Sequence, residues 1–232
     1  MGSREELTPD WSLYGLTLRT PRLSLRVVSD DDLAELVELA RRGIHEPAAM
    51  PFAVPWTDTA PDELAPAMLR HYWQQRAGST PQNWAVEFAV RADGRMVGIQ
   101  ELRGPDFFVT RRVLTGSWLG RGHQGRGLGT EMRCSALMFA FDRLGATRAE
   151  SAAFTDNPAS LRVSEKLGYR PDGTEVVQRR PGERAVDQRL LLTPEWFRPP
   201  DWTVRVDGFS PACAAQFGLV GEPPAPGGGP AD

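Results

Sequence analysis

The sequence predicts a mixed α/β fold in which helices flank a central mixed β-sheet. Three observations favour this class. Apolar and polar residues alternate in separated segments such as 16–28 and 84–91, as they do in half-buried strands. Segments with helical spacing of apolar residues, such as 125–144, lie between them. The order strand, helix, strand over 113–154 is typical of a βαβ unit with parallel strands.

In the first half of the chain, the strand over 16–28 is interrupted at Pro21, because proline cannot donate to a sheet ladder. Ser29 offers a capping oxygen, and three aspartates follow it, so a helix begins there and ends near Gly43. A second helix covers about 61–77. Asp93-Gly94 predicts the tight turn of a hairpin.

The second half continues with alternating strands and helices. Asn157 and Pro158 suit the cap and the first position of a helix. The expected elements are a strand over 113–119, a helix over 125–144, a strand over 148–154, a helix over 158–168, and strands over 174–180, 185–192 and 202–206.

Composition excludes several classes of function. The 232 residues carry a net charge of −3, which argues against a general nucleic-acid binder. No apolar run approaches the roughly 20 residues of a membrane span, so we expect no membrane partner. The two cysteines, Cys134 and Cys213, cannot form a disulfide framework or a metal-ligand cluster. We therefore expect a cytoplasmic protein that needs no metal.

A glycine-rich segment between a predicted strand and a long helix is the most informative part of the sequence. Five glycines in 120–129 leave backbone N–H groups accessible, and the helix N-terminus adds further donors, so the segment predicts an anion cradle suited to a pyrophosphate. A P-loop is excluded because the segment has no lysine. A dinucleotide fingerprint is formally present at Gly120, Gly122 and Gly125, but it does not open the first βα unit.

Two motifs together resemble the GNAT acyltransferase superfamily. Gln124-Gly-Arg-Gly-Leu-Gly-Thr130 is similar to its acyl-CoA pyrophosphate loop, and Asn157 to Tyr169 resembles a second motif, typical of the branch that acetylates ribosomal-protein N-termini. The resemblance covers about 17–192. It implies the GNAT fold and an acyl-CoA co-substrate. The residues implied to bind it are Trp118, Leu119, Gln124, Gly125, Arg126, Gly127, Leu128, Gly129, Thr130 and Asn157.

A closer likeness concerns four segments, 45–56, 116–120, 129–133 and 204–209, which resemble a mycobacterial GNAT-type succinyltransferase. The resemblance therefore leaves the donor open between acetyl-CoA and succinyl-CoA. A succinyl carboxylate would need a nearby cation, for which Arg111, Arg112 and His45 are the hypotheses.

The resemblance implies direct attack of a primary amine on the thioester within a ternary complex. Glu101, on the returning hairpin strand, is the expected base. Many relatives use a tyrosine acid where this chain has Ser164, so Ser160 is the expected acid or CoA contact. The apolar, proline-rich segment between the first two long helices is expected to border the amine site. Its expected lining residues are His45, Met50, Phe52 and Trp56.

These inferences predict an N-terminal lead over 1–15, a single domain over 16–209 that includes a C-terminal strand, and a disordered Pro/Gly-rich tail over 210–232. The amine is open between a protein N-terminus, a lysine and a small molecule. A homodimer is the family expectation. Two other functions stay open, a non-catalytic acyl-CoA-binding module and an NAD-dependent dehydrogenase.

Overall fold

The computed structural model describes residues 4–219. Nine strands account for the sheet. Their bounds are β1 (Thr17–Arg19), β2 (Leu23–Val27), β3 (Asn83–Ala92), β4 (Arg95–Pro105), β5 (Arg112–Leu119), β6 (Arg148–Phe154), β7 (Arg170–Arg180), β8 (Glu183–Leu192) and β9 (Arg205–Asp207).

Helices connect most of the strands. They are α1 (Arg4–Leu7), α2 (Asp30–Arg41), α3 (Pro61–Gly78), α4 (Phe107–Thr110), α5 (Leu128–Asp142), α6 (Pro158–Leu167) and α7 (Pro211–Gln216). Three short 3-10 turns lie at Ser12–Gly15, Trp56–Asp58 and Arg121–His123. In residues 4–219, no helix combines the length and the apolar character needed to cross a bilayer.

The strands form one sheet in the order β7-β8-β6-β5-β4-β3-β2-β1-β9. β5 and β6 are parallel, and every other neighbouring pair is antiparallel. The crossover between the two parallel strands is α5, which is the βαβ unit that the sequence predicts. The mixed α/β class with helices around a central mixed sheet is therefore confirmed.

The two faces of the sheet carry different helices. On β3, Phe88 and Val90 pack into a core with α5 and α6, whereas Ala89 packs into a second core with α2 and α3. Side chains along a strand alternate between the faces, so this division separates the sheet into an α5/α6 face and an α2/α3 face. α5 is buried over most of its circumference, as its apolar sequence predicts.

The two ends of the described chain pack together, which corrects the expected lead and tail. Leu13 and Tyr14 are buried, so the segment before β1 is part of the core. A disordered start at residue 210 is also wrong, because Ser210 caps α7 and both Cys213 and Phe217 are fully buried. β9 pairs with β1, so the predicted C-terminal strand is confirmed. Residues 220–232 of the predicted tail lie outside the described residues.

Candidate active site

The two parallel strands separate part of the way along their length. Their register pairs end at Leu114 and Glu150, although β5 continues to Leu119 and β6 to Phe154. Side-chain contacts close the vertex, where the Ser151 hydroxyl donates to the Thr115 carbonyl at 3.3 Å. Beyond this point the strands enclose a V-shaped gap, which is here called the β5–β6 gap.

Backbone donors of β5 point into the β5–β6 gap. A Cβ at Gly98 of β4 would lie 2.1 Å from the Trp118 carbonyl oxygen, so Trp118 directs its backbone towards β4. N–H directions alternate along a strand, so the N–H groups of Ser117 and Leu119 point the opposite way, towards β6. They are placed to bind an oxygen that enters the gap.

The glycine-rich loop leads from this gap into α5. Six consecutive backbone N–H groups, from Gly125 to Thr130, have no acceptor within residues 4–219. Gly125 and Gly127 have φ angles of +73° and +79°, a region that favours glycine and turns successive N–H groups towards solvent. Gly127 is the N-cap of α5, so the helix begins at Leu128, three residues later than the pattern predicts. The segment predicted to be an anion cradle, here called the cradle, therefore presents backbone donors that have no acceptor within the described residues.

Side chains around the cradle hold it in place. The Gln124 amide donates to the carbonyl oxygens of Ile44 at 2.6 Å and Leu119 at 2.9 Å, so this side chain is a tether between loops. Arg22 donates to the Arg126 carbonyl at 2.9 Å and to the Glu131 carboxylate at 2.6 Å. The amide nitrogen and the backbone N–H of Gln124 are both engaged within the protein, since the N–H donates to the Arg121 carbonyl at 3.3 Å.

A groove of about 310 Å³ adjoins the cradle. Its polar lining includes Arg95, His123 and Arg126, opposite a single carboxylate, Asp93. Partial burial, and then the positive charges of Arg126 and other arginines, lower the pKa of His123. The groove is therefore electropositive and adjoins the glycine-rich loop at Arg126 and Leu128.

Acidic residues occupy the α2/α3 face beside the gap. Glu101 of β4 pairs in register with Glu87 of β3 and Gly116 of β5, so the two carboxylates lie in one row across the sheet. Burial and the neighbouring Glu87 raise the pKa of Glu101. His71 of α3 bonds Glu87 at 2.9 Å, which raises the pKa of the imidazole. Glu87 and His71 were not predicted as site residues, because no sequence motif contains both of them.

Aromatic rings connect the proline-rich segment to this face. The ring centroids of Phe52 and Trp56 are 5.3 Å apart, and those of Trp56 and Trp118 are 5.8 Å apart. His45 stands edge-on to Phe52 at 5.7 Å. Three of the four expected amine-site residues thus form a wall that ends on β5. Met50 differs because it is 1 % exposed and supports the segment from within.

Arginines of β7 anchor the same segment from across the gap. Arg180 bonds the Asp58 carboxylate at 2.6 Å and the Pro47 carbonyl at 3.2 Å. Arg179 bonds Asp156 at 2.8 Å, just beyond the end of β6. These contacts fix the aromatic wall relative to both strands of the gap.

The first turns of α6 separate the expected CoA contacts into two roles. The Asn157 side chain accepts from the Ser160 N–H at 3.2 Å, so it caps the helix. The Ser160 hydroxyl has no partner within residues 4–219 and stays available to a ligand. Tyr169 is buried at the vertex, and its hydroxyl lies 3.1 Å from that of Thr115. Burial raises the pKa of Tyr169, which makes it a poor acid.

A buried cationic side chain that bonds the gap-lining part of β5 is one that sequence reasoning missed. Arg133 of α5 donates to the Ser117 hydroxyl at 3.1 Å and to the Ser164 hydroxyl at 2.9 Å. Two of the three hypothesised cations lie elsewhere: Arg112 pairs with Glu150 at the closed end of the strands, and Arg111 stacks over Phe107 and Phe108. The third, His45, stands in the aromatic wall. A lone arginine within an apolar helix carries no motif, so only its packing reveals it.

Burial disfavours Cys134 as a nucleophile. The thiol is 2 % exposed, and burial raises its pKa to about 12. A thiolate is the reactive form, so an acyl-cysteine intermediate at this residue is disfavoured.

Comparison with solved structures finds the same fold. A ribosomal L7/L12 α-N-protein acetyltransferase, RimL, in complex with coenzyme A has 17% sequence identity and a TM-score of 0.60, over 75% of this chain and 95% of that chain. A spermidine N-acetyltransferase chimera from Vibrio cholerae and hSSAT has 19% identity and a TM-score of 0.58, over 74% and 95%. A Salmonella typhimurium acetyl transferase that modifies the N-terminal serine of ribosomal protein L7/L12 has 17% identity and a TM-score of 0.58, over 75% and 96%.

Sequence comparison agrees with the fold. The family model for the acetyltransferase (GNAT) domain matches residues 22–170. This range contains the cradle, both strands of the β5–β6 gap and the acidic row. The chain belongs to the GNAT acetyltransferase family.

Proposed function

We propose that this protein transfers an acyl group from acyl-CoA to a primary amine, by direct attack within a ternary complex. One observation carries the proposal: six free N–H groups at the N-terminus of α5 open directly onto a gap between two parallel strands. The cradle suits a pyrophosphate and the unpaired strand edges suit the amides of a pantetheine arm. The raised pKa of Cys134 favours direct attack over an acyl-enzyme.

The nucleotide and the thioester fall on opposite sides of the cradle in this proposal. Gly125 to Thr130 bind the pyrophosphate through backbone N–H groups, with Arg95, His123 and Arg126 towards the remaining phosphate of CoA. The thioester lies in the β5–β6 gap. There the N–H groups of Ser117 and Leu119 polarise its carbonyl, as donors do in an oxyanion hole.

The amine approaches from the α2/α3 face. An ammonium group is attracted by Glu87 and Glu101, and it must lose a proton before it attacks. Glu101 is the proposed base, because burial and Glu87 raise its pKa towards the range in which a carboxylate accepts protons well. His45, Phe52 and Trp56 supply an apolar wall for the rest of the acceptor.

The finer identity of both substrates is part of the proposal. Acetyl-CoA is the family donor, and succinyl-CoA is the alternative from the closer sequence likeness. The relatives act on a ribosomal-protein N-terminus and, by its name, on spermidine, so an α-amino group and a small amine are the leading acceptors, with lysine as a third. Ser160 contributes a CoA contact. We place the reaction in the cytoplasm and expect a homodimer.

Ligand binding and turnover test the proposal separately. Thermal unfolding is measured with acetyl-CoA, succinyl-CoA, free CoA and NAD, and we expect stabilisation by the CoA compounds only. Thiol release from acyl-CoA is then followed with peptide N-termini, spermidine and a lysine peptide. Stabilisation by NAD alone would overturn the proposal. Stabilisation by CoA with no amine-dependent thiol release would identify a non-catalytic binding module.

A further inference from the structure

Arg133 carries a buried positive charge without a counter-charge. It is 5 % exposed, and no carboxylate within residues 4–219 forms an ion pair with it. Burial lowers the pKa of the guanidinium. Two residues earlier on α5, buried Glu131 has its partner in Arg22. An unpaired buried charge opposes folding, so its presence indicates an anion that arrives with a ligand or forms in the reaction.

The guanidinium is fixed and still has donors to offer. Its two terminal nitrogens bond Ser117 of β5 and Ser164 of α6, and these bonds hold it across the floor of the β5–β6 gap. Its Nε is buried without any partner. Ser117 belongs to the stretch of β5 whose backbone faces the gap, so the cation and the proposed thioester site share one residue.

We propose that Arg133, held by Ser117 and Ser164, stabilises the thiolate of the departing CoA. This inference rests on the proposed acyl transfer. The amine nitrogen attacks the thioester carbon, a C–N bond forms, and the C–S bond breaks with its electron pair on sulfur. The amine proton passes to the Glu101 carboxylate and on to solvent. The sulfur leaves as a thiolate beside the guanidinium, and it takes a proton from water when CoA dissociates.

Arg133 stabilises the leaving thiolate by its positive charge, and neither it nor the two serines donates a proton to the sulfur. The Ser164 hydroxyl already donates to the Ser160 carbonyl at 3.1 Å, so its proton is engaged. A serine hydroxyl is also far less acidic than a thiol. A neighbouring cation favours the thiolate directly, as it does for cysteine thiols, whose pKa falls beside arginine or lysine.

A spectroscopic titration of bound CoA tests this role without turnover. The ultraviolet absorbance of the thiolate is followed against pH for CoA bound to the wild type and to Arg133→Met, Arg133→Lys and Arg126→Gln. We expect the thiol pKa of bound CoA to be lower than that of free CoA by about one unit or more in the wild type and close to that of free CoA in Arg133→Met, with Arg133→Lys between them. Arg126→Gln is the matched control, because it weakens CoA and desulfo-CoA equally and leaves the thiol pKa of the complex unchanged.

Stability and kinetics separate this role from a structural one. Arg133→Met breaks no ion pair and removes a buried charge, so its melting temperature should equal or exceed that of the wild type. Its kcat should fall by about 10²–10³-fold at an unchanged KM for the amine. Desulfo-CoA should bind to both proteins with the same affinity.

Distinct results would overturn the inference. An unshifted thiol pKa in the wild type, or the same shift in Arg133→Met, removes the thiolate role while CoA binding keeps the proposed function intact. Loss of activity with succinyl-CoA but not with acetyl-CoA would assign Arg133 to the acyl chain instead. A lower melting temperature with normal kcat would make the residue structural. Absence of CoA binding in the wild type would overturn the proposed function itself.

Discussion

Replacing Gly127 by valine tests whether the backbone of the cradle binds phosphate. Gly127 has a φ of +79°, and a Cβ there would lie 3.4 Å from a terminal nitrogen of Arg22. Valine in this conformation is strained by about 1–2 kcal/mol. We expect its branched side chain to hinder the approach of a phosphate to the neighbouring N–H groups. Both effects are expected, but only the second concerns CoA.

The loss of affinity follows from the hydrogen bonds that valine blocks. A hydrogen bond to a charged group contributes about 1.5–3 kcal/mol. Two blocked N–H groups therefore cost about 3–6 kcal/mol, which weakens the Kd for CoA by about 10²–10⁴-fold. Isothermal titration calorimetry with CoA measures this loss directly.

Gly145→Val is the matched control. Gly145 follows the far end of α5 with a φ of +68°, and no atom lies within 4 Å of a Cβ built there. It carries similar backbone strain without contact to the cradle. Both variants should melt about 2–8 °C below the wild type. Equal CoA affinity in the two variants would refute the assignment of the cradle.

Three further predictions concern the acidic row. A Cβ at Gly116 would lie 2.5 Å from the Glu101 carboxylate, so Gly116→Ala should displace the base and lower kcat by about 10²–10⁴-fold with CoA affinity retained. Glu101→Gln should lower kcat by a similar factor. If the losses of the two variants were additive in the double variant, the displacement of Glu101 would not be the cause of the Gly116→Ala effect. Glu87 raises the pKa of Glu101, so Glu87→Gln should move the acidic limb of the kcat/KM profile to lower pH, and a shift to higher pH would contradict this. Glu87 also raises the pKa of His71 above its usual value near 6.5, so the pair stabilises the fold below that pH, and this stabilisation is lost as the pH rises through the raised value. The difference in unfolding free energy between the wild type and His71→Gln should therefore shrink between pH 6 and pH 8. A difference that stays constant over this range would exclude a stabilising ion pair.

The architecture was predictable because its signals are local. Strand alternation and the Asp93-Gly94 turn predict the β3–β4 hairpin, and Asn157-Pro158 predicts where α6 begins. The prediction was wrong after Phe209, where it relied on composition and not on local signals. There a proline-rich composition predicted disorder, although Ser210-Pro211 is itself a capping sequence and Phe217 packs onto Trp84. Composition is an average over many residues, whereas the order of this segment depends on the burial of a single ring, Phe217.

The candidate site was predictable only where a motif carries it. Glycine spacing predicts the cradle, because backbone geometry demands glycine there. His71 and Glu87 are 16 residues apart, and Arg133 and Ser164 are 31 apart. Each pair meets only because the sheet and its helices bring distant segments together. Such contacts leave no periodic trace, so tertiary packing had to reveal them.

The packing of Phe209 and Phe217 onto the core has a consequence for biosynthesis. The rings of Phe209 and Phe217 pack on Phe139 of α5, and Phe217 also packs on Trp84 of β3. A nascent chain therefore leaves this side of the core uncovered until residue 217 emerges from the ribosome, long after the cradle has been synthesised. Exposed apolar surface of this kind promotes aggregation, so the growing chain is vulnerable until residues 209–217 have emerged.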